Sequence, residues 1–265
     1  MMKQSCYIYI LGLATWTMNF SAAQSVRKPG EYLIDAKKRF QVTNENHGGK
    51  FTCYMEMKRG RNGYKSGTGF LIHPRVILTA GHNLAWYPTG SVQEVSLYFN
   101  PLDSAHTGES VILKLNNKNR FFKKNYWLNG RIHRDFGIII LPDSTLYYKL
   151  GGHFQINALT NDALEYQIIH ITGSPGDKDP FTLWSDSTSN FDVTDKMLSY
   201  EMFTWERNSG SPIWYRHDNK LIAIGIHSRG GKKGDSIWGN KAIRISSKVW
   251  NTIKNWCSTA GIFWP

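Results

Sequence analysis

The chain has 265 residues, 32 Lys and Arg against 20 Asp and Glu, a net charge of +12, and 14% aromatic side chains. That length suits one compact unit or two small barrels packed together, and the charge favours acidic partners or substrates through long-range steering. The basic clusters Lys58-Arg59-Gly60-Arg61, Lys123-Lys124 and Lys232-Lys233 fall in separate segments without aromatic interleaving, so they read as solvated loops and no nucleic acid partner is expected.

At the N-terminus, Lys3 precedes a mostly apolar run from Tyr7 to Met18, and Ser21-Ala22-Ala23 supplies small residues for signal-peptidase cleavage. The run is too short to span a bilayer, so residues 1–23 read as a signal peptide, the protein as secreted or periplasmic, and no membrane anchor is expected. Residues 24–46 are charged and weakly patterned, an extended arm or a pro-segment.

From Lys50 onward, short runs rich in β-branched and aromatic residues alternate with Gly, Asn, Asp and Pro. Gly69-Phe70-Leu71-Ile72, Val76-Ile77-Leu78, Val95 to Phe99, Ile138 to Leu141, Ile168 to Ile171 and Leu221 to Ile224 all read as strands. No strand–helix alternation appears, which argues against a parallel α/β sheet and for an all-β barrel or sandwich. The exception is Ser246 to Cys257, where Val249, Trp250, Ile253, Trp256 and Cys257 share a helical face, with Ser246 or Ser247 as N-cap and Gly261 past the end.

Once Cys6 leaves with the signal, Cys53 and Cys257 remain. An even number in an exported chain predicts one disulfide, closing a loop of roughly 200 residues and worth up to about 4–5 kcal/mol on the entropy model. Two buried free thiols are the alternative.

Three segments carry chemistry. Thr79-Ala80-Gly81-His82 delivers a histidine at a strand end. Asp135 sits in Arg134-Asp135-Phe136-Gly137, where a polar loop enters a buried strand and an unpaired carboxylate would be costly. Asn208-Ser209-Gly210-Ser211-Pro212 places a serine in a tight turn of small residues. A serine hydroxyl is a poor nucleophile near neutral pH, and an imidazole oriented by a carboxylate is what activates it. His47, His73, His133, His153, His170 and His217 form no ligand pair at a metal-binding spacing, so no metal or other cofactor is expected.

These motifs, with Gly173-Ser174-Pro175-Gly176-Asp177-Lys178 ahead of Trp184, and with Gly225-Ile226-His227, resemble the chymotrypsin-like serine proteases. Within that group they are most similar to the glutamyl endopeptidase family of bacterial secreted enzymes, of staphylococcal type, over about Lys50 to Trp256. The resemblance implies an all-β, trypsin-like fold of two packed six-stranded antiparallel barrels with a C-terminal helix. The first barrel would span 47–145, and the second, with the helix, 146–265. It implies His82, Asp135 and Ser209 as a catalytic triad and the backbone amides of Arg207 and Ser209 as the oxyanion hole. Thr204 and His227 would line the pocket for the residue before the scissile bond, giving cleavage after Glu or Asp. Protein or peptide substrates and a monomeric state follow.

Two departures from the family stand out. Arg207 occupies a position that normally holds Gly, and Ser228-Arg229 replaces the usual aromatic and Gly. Arg207 motivates the alternative of a catalytically weak or inactive protease-fold binding protein.

Overall fold

The structure, a computed structural model, describes residues 38–42, 47–59, 63–85, 90–99, 108–123, 131–165, 167–230 and 239–264. The signal segment and most of the 24–46 arm, together with Cys6 and Lys232-Lys233, lie outside them. Among the described residues no helix is long and apolar enough to cross a membrane.

The first sheet is built from β2 (Thr52–Arg59), β3 (Gly63–His73), β4 (Val76–Thr79), β5 (Glu94–Phe99), β6 (Ser110–Lys114), β7 (Arg120–Phe122) and β8 (Gly137–Ile140), in the order β6-β5-β2-β3-β4-β8-β7. All its pairings are antiparallel. The second takes β1 (Phe40–Gln41), β10 (Ile169–Gly173), β11 (Trp184–Thr188), β12 (Phe191–Val193), β13 (Met197–Tyr200), β14 (Pro212–His217), β15 (Lys220–Arg229) and β16 (Asn240–Arg244). Their order is β1-β11-β10-β14-β15-β16-β13-β12, and β9 (Gln155–Ile156) adds to β15. Each sheet curls into a half-barrel, so the expected all-β trypsin-like double barrel is met. The strand counts are seven and nine where six and six were expected. The surplus includes two-residue pairings, β1 and β9, too short to leave an alternation in the sequence.

The apolar runs that show no polar alternation are strands buried on both faces. On β3, β4 and β8, Leu71, Ile77 and Ile139 point into the first barrel with Met55, Leu97 and Phe99. Their neighbours Phe70, Ile72, Val76, Leu78, Ile138 and Ile140 face the other way, into a second cluster with Phe154, Trp214, Ala223 and Ile226 of the second sheet. A β-bulge between Ile213 and Trp214 shifts the register of β14 on β15. Ile222 and Ile224 thus fill the second barrel with Ile169, Leu198 and Tyr200, while Ala223 and Ile226 face the first.

Among the described residues four α-helices accompany the sheets: α1 (Gly81–Leu84), α2 (Thr145–Leu150), α3 (Asn161–Glu165) and α4 (Ser247–Thr259). In α4, Ser246 occupies the N-cap with extended backbone, and Gly261 follows the end at φ +72°. Val249, Ile253 and Cys257 are buried against both barrels. Each aliphatic side chain so buried is worth about 1.5–3 kcal/mol, which fixes α4 across the base of the molecule.

The disulfide expectation is corrected: Cys53 and Cys257 are free buried thiols. Cys53 packs inside the first barrel with Met55 and Leu97, whereas Cys257 lies on the buried face of α4 in the inter-barrel cluster. Burial raises the Cys53 thiol well above its ordinary range and pushes Cys257 up to about 11, so neither offers a reactive thiolate. Both act as small apolar side chains. Alkylation in denaturant without reductant, read by mass spectrometry, is expected to find both cysteines modified. In native buffer both should resist; a 53–257 cross-linked peptide would contradict this assignment.

Candidate active site

β4 ends at Thr79, and the chain turns through α1 so that His82 and Asn83 project into the junction of the two sheets. A Cβ on Gly81 would lie 3.1 Å from the Phe136 amide and carbonyl and 3.2 Å from Asp135 Oδ1, so a side chain here would press α1 away from the Asp135 loop by a few tenths of an ångström. The His82 amide donates to Asp135 Oδ1 at 2.7 Å, and His82 Nδ1 meets Oδ2 at 2.7 Å. Ser228 Oγ donates to the same Oδ2 at 2.6 Å.

Asp135 is 3% exposed. Burial by itself lifts its carboxyl, but the His82 charge and the hydrogen bonds from the His82 ring, Ser228 and the His82 amide outweigh that and hold it below the usual carboxylate range. With Nδ1 committed as donor to a carboxylate, Nε2 is the basic nitrogen of His82.

Ser209 is brought to this junction by the second sheet. Its carbonyl accepts from the Thr68 amide at 2.9 Å and from Asn83 Nδ2 at 2.8 Å, the residue next to His82. Its hydroxyl donates a long 3.4 Å bond to the Ser228 carbonyl. Ser228 thus touches the serine through its backbone and the aspartate through its side chain. Gly210 follows at φ +91°, and a Cβ there would stand 2.0 Å from the Thr68 carbonyl and 2.3 Å from Thr79 Oγ1. Gly is required at 210 on both counts.

Arg207 adopts φ +73°, so the position does demand the backbone that favours Gly. That conformation costs a side-chain-bearing residue about 1–2 kcal/mol. Three hydrogen bonds offset it. Arg207 Nη2 donates to the Pro175 and Lys178 carbonyls, each at 2.7 Å, and its own carbonyl accepts from Thr68 Oγ1 at 2.9 Å. Hydrogen bonds from a charged donor contribute about 1.5–3 kcal/mol each, enough to exceed the backbone cost. The Gly173-to-Lys178 segment therefore braces Arg207, and the Gly176 amide also donates to the Glu206 carbonyl at 2.7 Å. Among the described residues, neither the Arg207 nor the Ser209 amide is used in a backbone hydrogen bond.

Thr204 and His227 are both buried at 2% exposure. The Tyr200 hydroxyl and His227 Nδ1 lie 2.6 Å apart, and Thr204 Oγ1 donates to Asn240 Oδ1 at 2.6 Å. The His227 imidazole is pushed down to about 3, by burial first and then by the His82 charge, with Asp135 pulling the other way. It is a neutral ring.

The roles of four residues here escaped sequence reading. Ser228, Thr68 and Asn83 bind the segments of Asp135, Arg207 and Ser209 through contacts 93, 139 or 126 residues away in sequence, which no local pattern signals. The fourth, Lys65, is partly buried and donates to the carbonyls of His82 and Ala85, closing the end of α1; burial lowers its ammonium to about 8. Among the described residues, no three His, Cys, Asp or Glu side chains converge as a metal site would require.

No family model matches the chain. It is 26% identical over 198 residues to a glutamyl endopeptidase of Bacillus licheniformis, covering 73% of this chain and 60% of that one. It is also 26% identical over 196 residues to an extracellular metalloprotease of Bacillus subtilis, covering 72% and 58%. The chain thus spans about three fifths of the length of these relatives. Among solved structures it superposes on a Glu endopeptidase in complex with MPD with a TM-score of 0.66, at 23% identity, covering 82% of this chain and 95% of that one. The protease Anisep from Arthrobacter nicotinovorans gives 0.62 at 16% identity, covering 83% and 99%.

Two outcomes follow from this geometry. Arg207→Gly removes the backbone cost but also the two carbonyl contacts, and denaturant titration is expected to show a net loss of about 1–3 kcal/mol; a gain in stability would mean the brace contributes nothing. Unfolded His227 takes up a proton near its ordinary 6.5, while the folded ring refuses it until about 3, so the unfolded state binds more protons across that window. Stability is therefore lost as pH falls from about 6.5 towards 3, an effect to which His170, lowered to about 4 by burial, adds. His227→Gln should flatten the acid side of the melting-temperature curve; an unchanged slope would refute the buried neutral ring. In sequence the chain is similar to a glutamyl endopeptidase of Bacillus licheniformis, and in fold it is a trypsin-like double barrel.

Proposed function

We propose that the protein is an exported serine endopeptidase that cleaves peptide bonds after Glu, with Asp135, His82 and Ser209 as its triad. The observation that carries this reading is the buried Asp135 carboxylate held by the His82 ring and amide, with Ser228 bridging from that carboxylate to the Ser209 hydroxyl. In this reading Ser209 Oγ leaves the Ser228 carbonyl, passes its proton to His82 Nε2 and bonds to the scissile carbonyl carbon. Asp135 stabilises the resulting imidazolium. The carbonyl oxygen takes the negative charge and is met by the Ser209 and Arg207 amides, a contribution of about 3–4 kcal/mol for a donor of this kind. Collapse breaks the C–N bond as His82 returns its proton to the amine; water then attacks the acyl-enzyme by the same base.

For the residue before the scissile bond, His227 supplies the recognising proton. When the Tyr200 hydroxyl donates to Nδ1, the hydrogen of the neutral ring sits on Nε2, where it can meet a substrate carboxylate. The Thr204 proton is committed to Asn240, so Thr204 serves this pocket as a wall and as a brake on Asn240 rotation. Recognition by a neutral donor, within a molecule of net charge +12, draws the acid in by the long-range field and fixes it by hydrogen bonding.

A panel of peptides differing only in the residue before the scissile bond tests both levels. Hydrolysis after Glu is expected, with Ser209→Ala lowering kcat by about 10⁴-fold or more and His227→Gln reducing the Glu-over-Gln preference in kcat/KM by about tenfold or more. Ser209-dependent cleavage after another residue would remove the Glu pocket and keep the triad. A folded protein without any Ser209-dependent cleavage would leave the binding-protein alternative in its place.

A further inference from the structure

The residues flanking Asp135 belong to a second feature. His133, Arg134 and Phe136 line a groove of about 780 Å³ shared with β16 and the start of α4, and none of His82, Asp135, Ser209 or His227 lines it. Its walls carry Lys123, Arg134, Lys196, Arg244 and Lys248, against Asp195 as the one acidic side chain in the lining. Among the described residues none of these five cations forms an ion pair.

Arg244 is the most telling of them. At 7% exposure its guanidinium is nearly buried, yet its acceptors are all neutral: Asn161 Oδ1 at 2.5 Å, the Thr194 carbonyl at 3.0 Å and the Leu159 carbonyl at 2.6 Å. Those acceptors satisfy its hydrogen bonds but leave its charge unneutralised in the groove lining. The start of α4 points the same way. Ser246, Ser247 and Lys248 face the groove, the Ser246 side chain makes no capping bond, and the first turn of this 13-residue helix holds no acid. A helix N-terminus favours negative charge, and here a lysine stands beside it. The summed field is also felt at His133, whose imidazole is lowered by burial and then by Lys196, Arg134, Lys248 and Arg131.

The floor is not polar throughout. Phe136, Ala158, Leu159 and Val249 add apolar side chains to the lining. A phosphate or sulfate polymer would leave these unused, whereas a peptide that mixes carboxylates with apolar side chains matches both. The chain's own residues 24–37 do not supply such a peptide, because Arg27, Lys28 and Lys37 outnumber Glu31 and Asp35. We propose that this groove docks an acidic peptide segment of another molecule, its carboxylates meeting Arg134, Lys196, Lys248 and the first turn of α4, and its apolar side chains resting on Leu159 and Val249.

The test needs no turnover and so stands apart from the proposed peptidase activity. Full-length Ser209→Ala protein is titrated against a short fluorescein-labelled peptide in which Asp alternates with Leu, with fluorescence anisotropy as readout. Saturable binding that weakens with added NaCl is expected. Lys196→Ala/Lys248→Ala should weaken it by about tenfold, while Lys114→Ala/Lys220→Ala, the same charge change outside the groove lining, should stay within about twofold. Equal losses in the two double variants would overturn the site and leave only net-charge steering. Unchanged affinity of an Asn-for-Asp peptide would overturn anionic recognition. Binding of a sulfated oligosaccharide through Lys196 and Lys248, with none of the peptide, would overturn the assigned occupant.

Discussion

Thr68 is the point on which the geometry of the site depends. Its amide donates to the Ser209 carbonyl and its hydroxyl to the Arg207 carbonyl, and that hydroxyl also accepts from the Ser174 amide at 3.2 Å. Its carbonyl accepts from Thr79 Oγ1 at 2.7 Å. One residue of the first sheet thus holds the loop before Ser209, Ser209 itself and the brace behind Arg207. Asn83 doubles the restraint, joining Ser209 to Thr79 on the segment that carries His82. These bonds work only at backbone contact distance, which is why Gly210 is enforced at the crossing. The apolar cluster beneath, with Phe70 and Leu78 against Ile226 and Ile243, holds the two sheets in one register, so the relative position of His82 and Ser209 is a property of the packed core.

The charge at the site follows a separate logic. A buried carboxylate loses several kcal/mol of hydration, and Asp135 recovers it through three donors, two of them from His82. The same contacts that stabilise the anion fix the imidazole by ring and by backbone. Lys65 acts on the opposite end of α1, binding the His82 and Ala85 carbonyls, so the histidine is held from both sides of its short helix. The ionised state of Asp135 and the orientation of the His82 ring are one structural feature here.

Legibility in the sequence tracked the range of the interaction. The strands of β3, β4, β8 and β15 announced themselves because double-faced burial leaves continuous apolar runs, and α4 because its buried face repeats at helical spacing. His82, Asp135 and Ser209 were visible through local contexts that fit strand ends and a tight turn. Ser228 was noticed as a departure from the family, but its bond to Asp135 was not foreseen, because that partner lies 93 residues away in sequence. Thr68 stayed hidden for the same reason, since the Arg207 carbonyl that its hydroxyl binds lies 139 residues away. The paired cysteines misled because parity says nothing about distance; Cys53 and Cys257 face different cores. Arg207 was read correctly as a conflict with backbone geometry, but the carbonyls that resolve it come from Pro175 and Lys178, beyond any local reading.

Those carbonyls belong to a wider pattern. With 32 basic and 20 acidic side chains, at least 12 cations cannot pair with an acid, and the fold uses several cations as clamps on main-chain oxygens. Arg207 holds Pro175 and Lys178, Arg244 holds Leu159 and Thr194, Arg120 holds Val92, Arg75 holds Leu141, and Lys65 holds His82 and Ala85. A cation bonded to a carbonyl keeps its full charge, whereas one paired with a carboxylate loses it to its partner. The loops are thereby braced without neutralising the molecule, and the positive field survives to act on whatever approaches. Carbonyl clamps are also less sensitive to salt than ion pairs, because no opposite charge is there to be screened. The excess of base over acid is thus a structural resource and an electrostatic one together, and the groove beside Asp135 is where the two uses meet in Arg244.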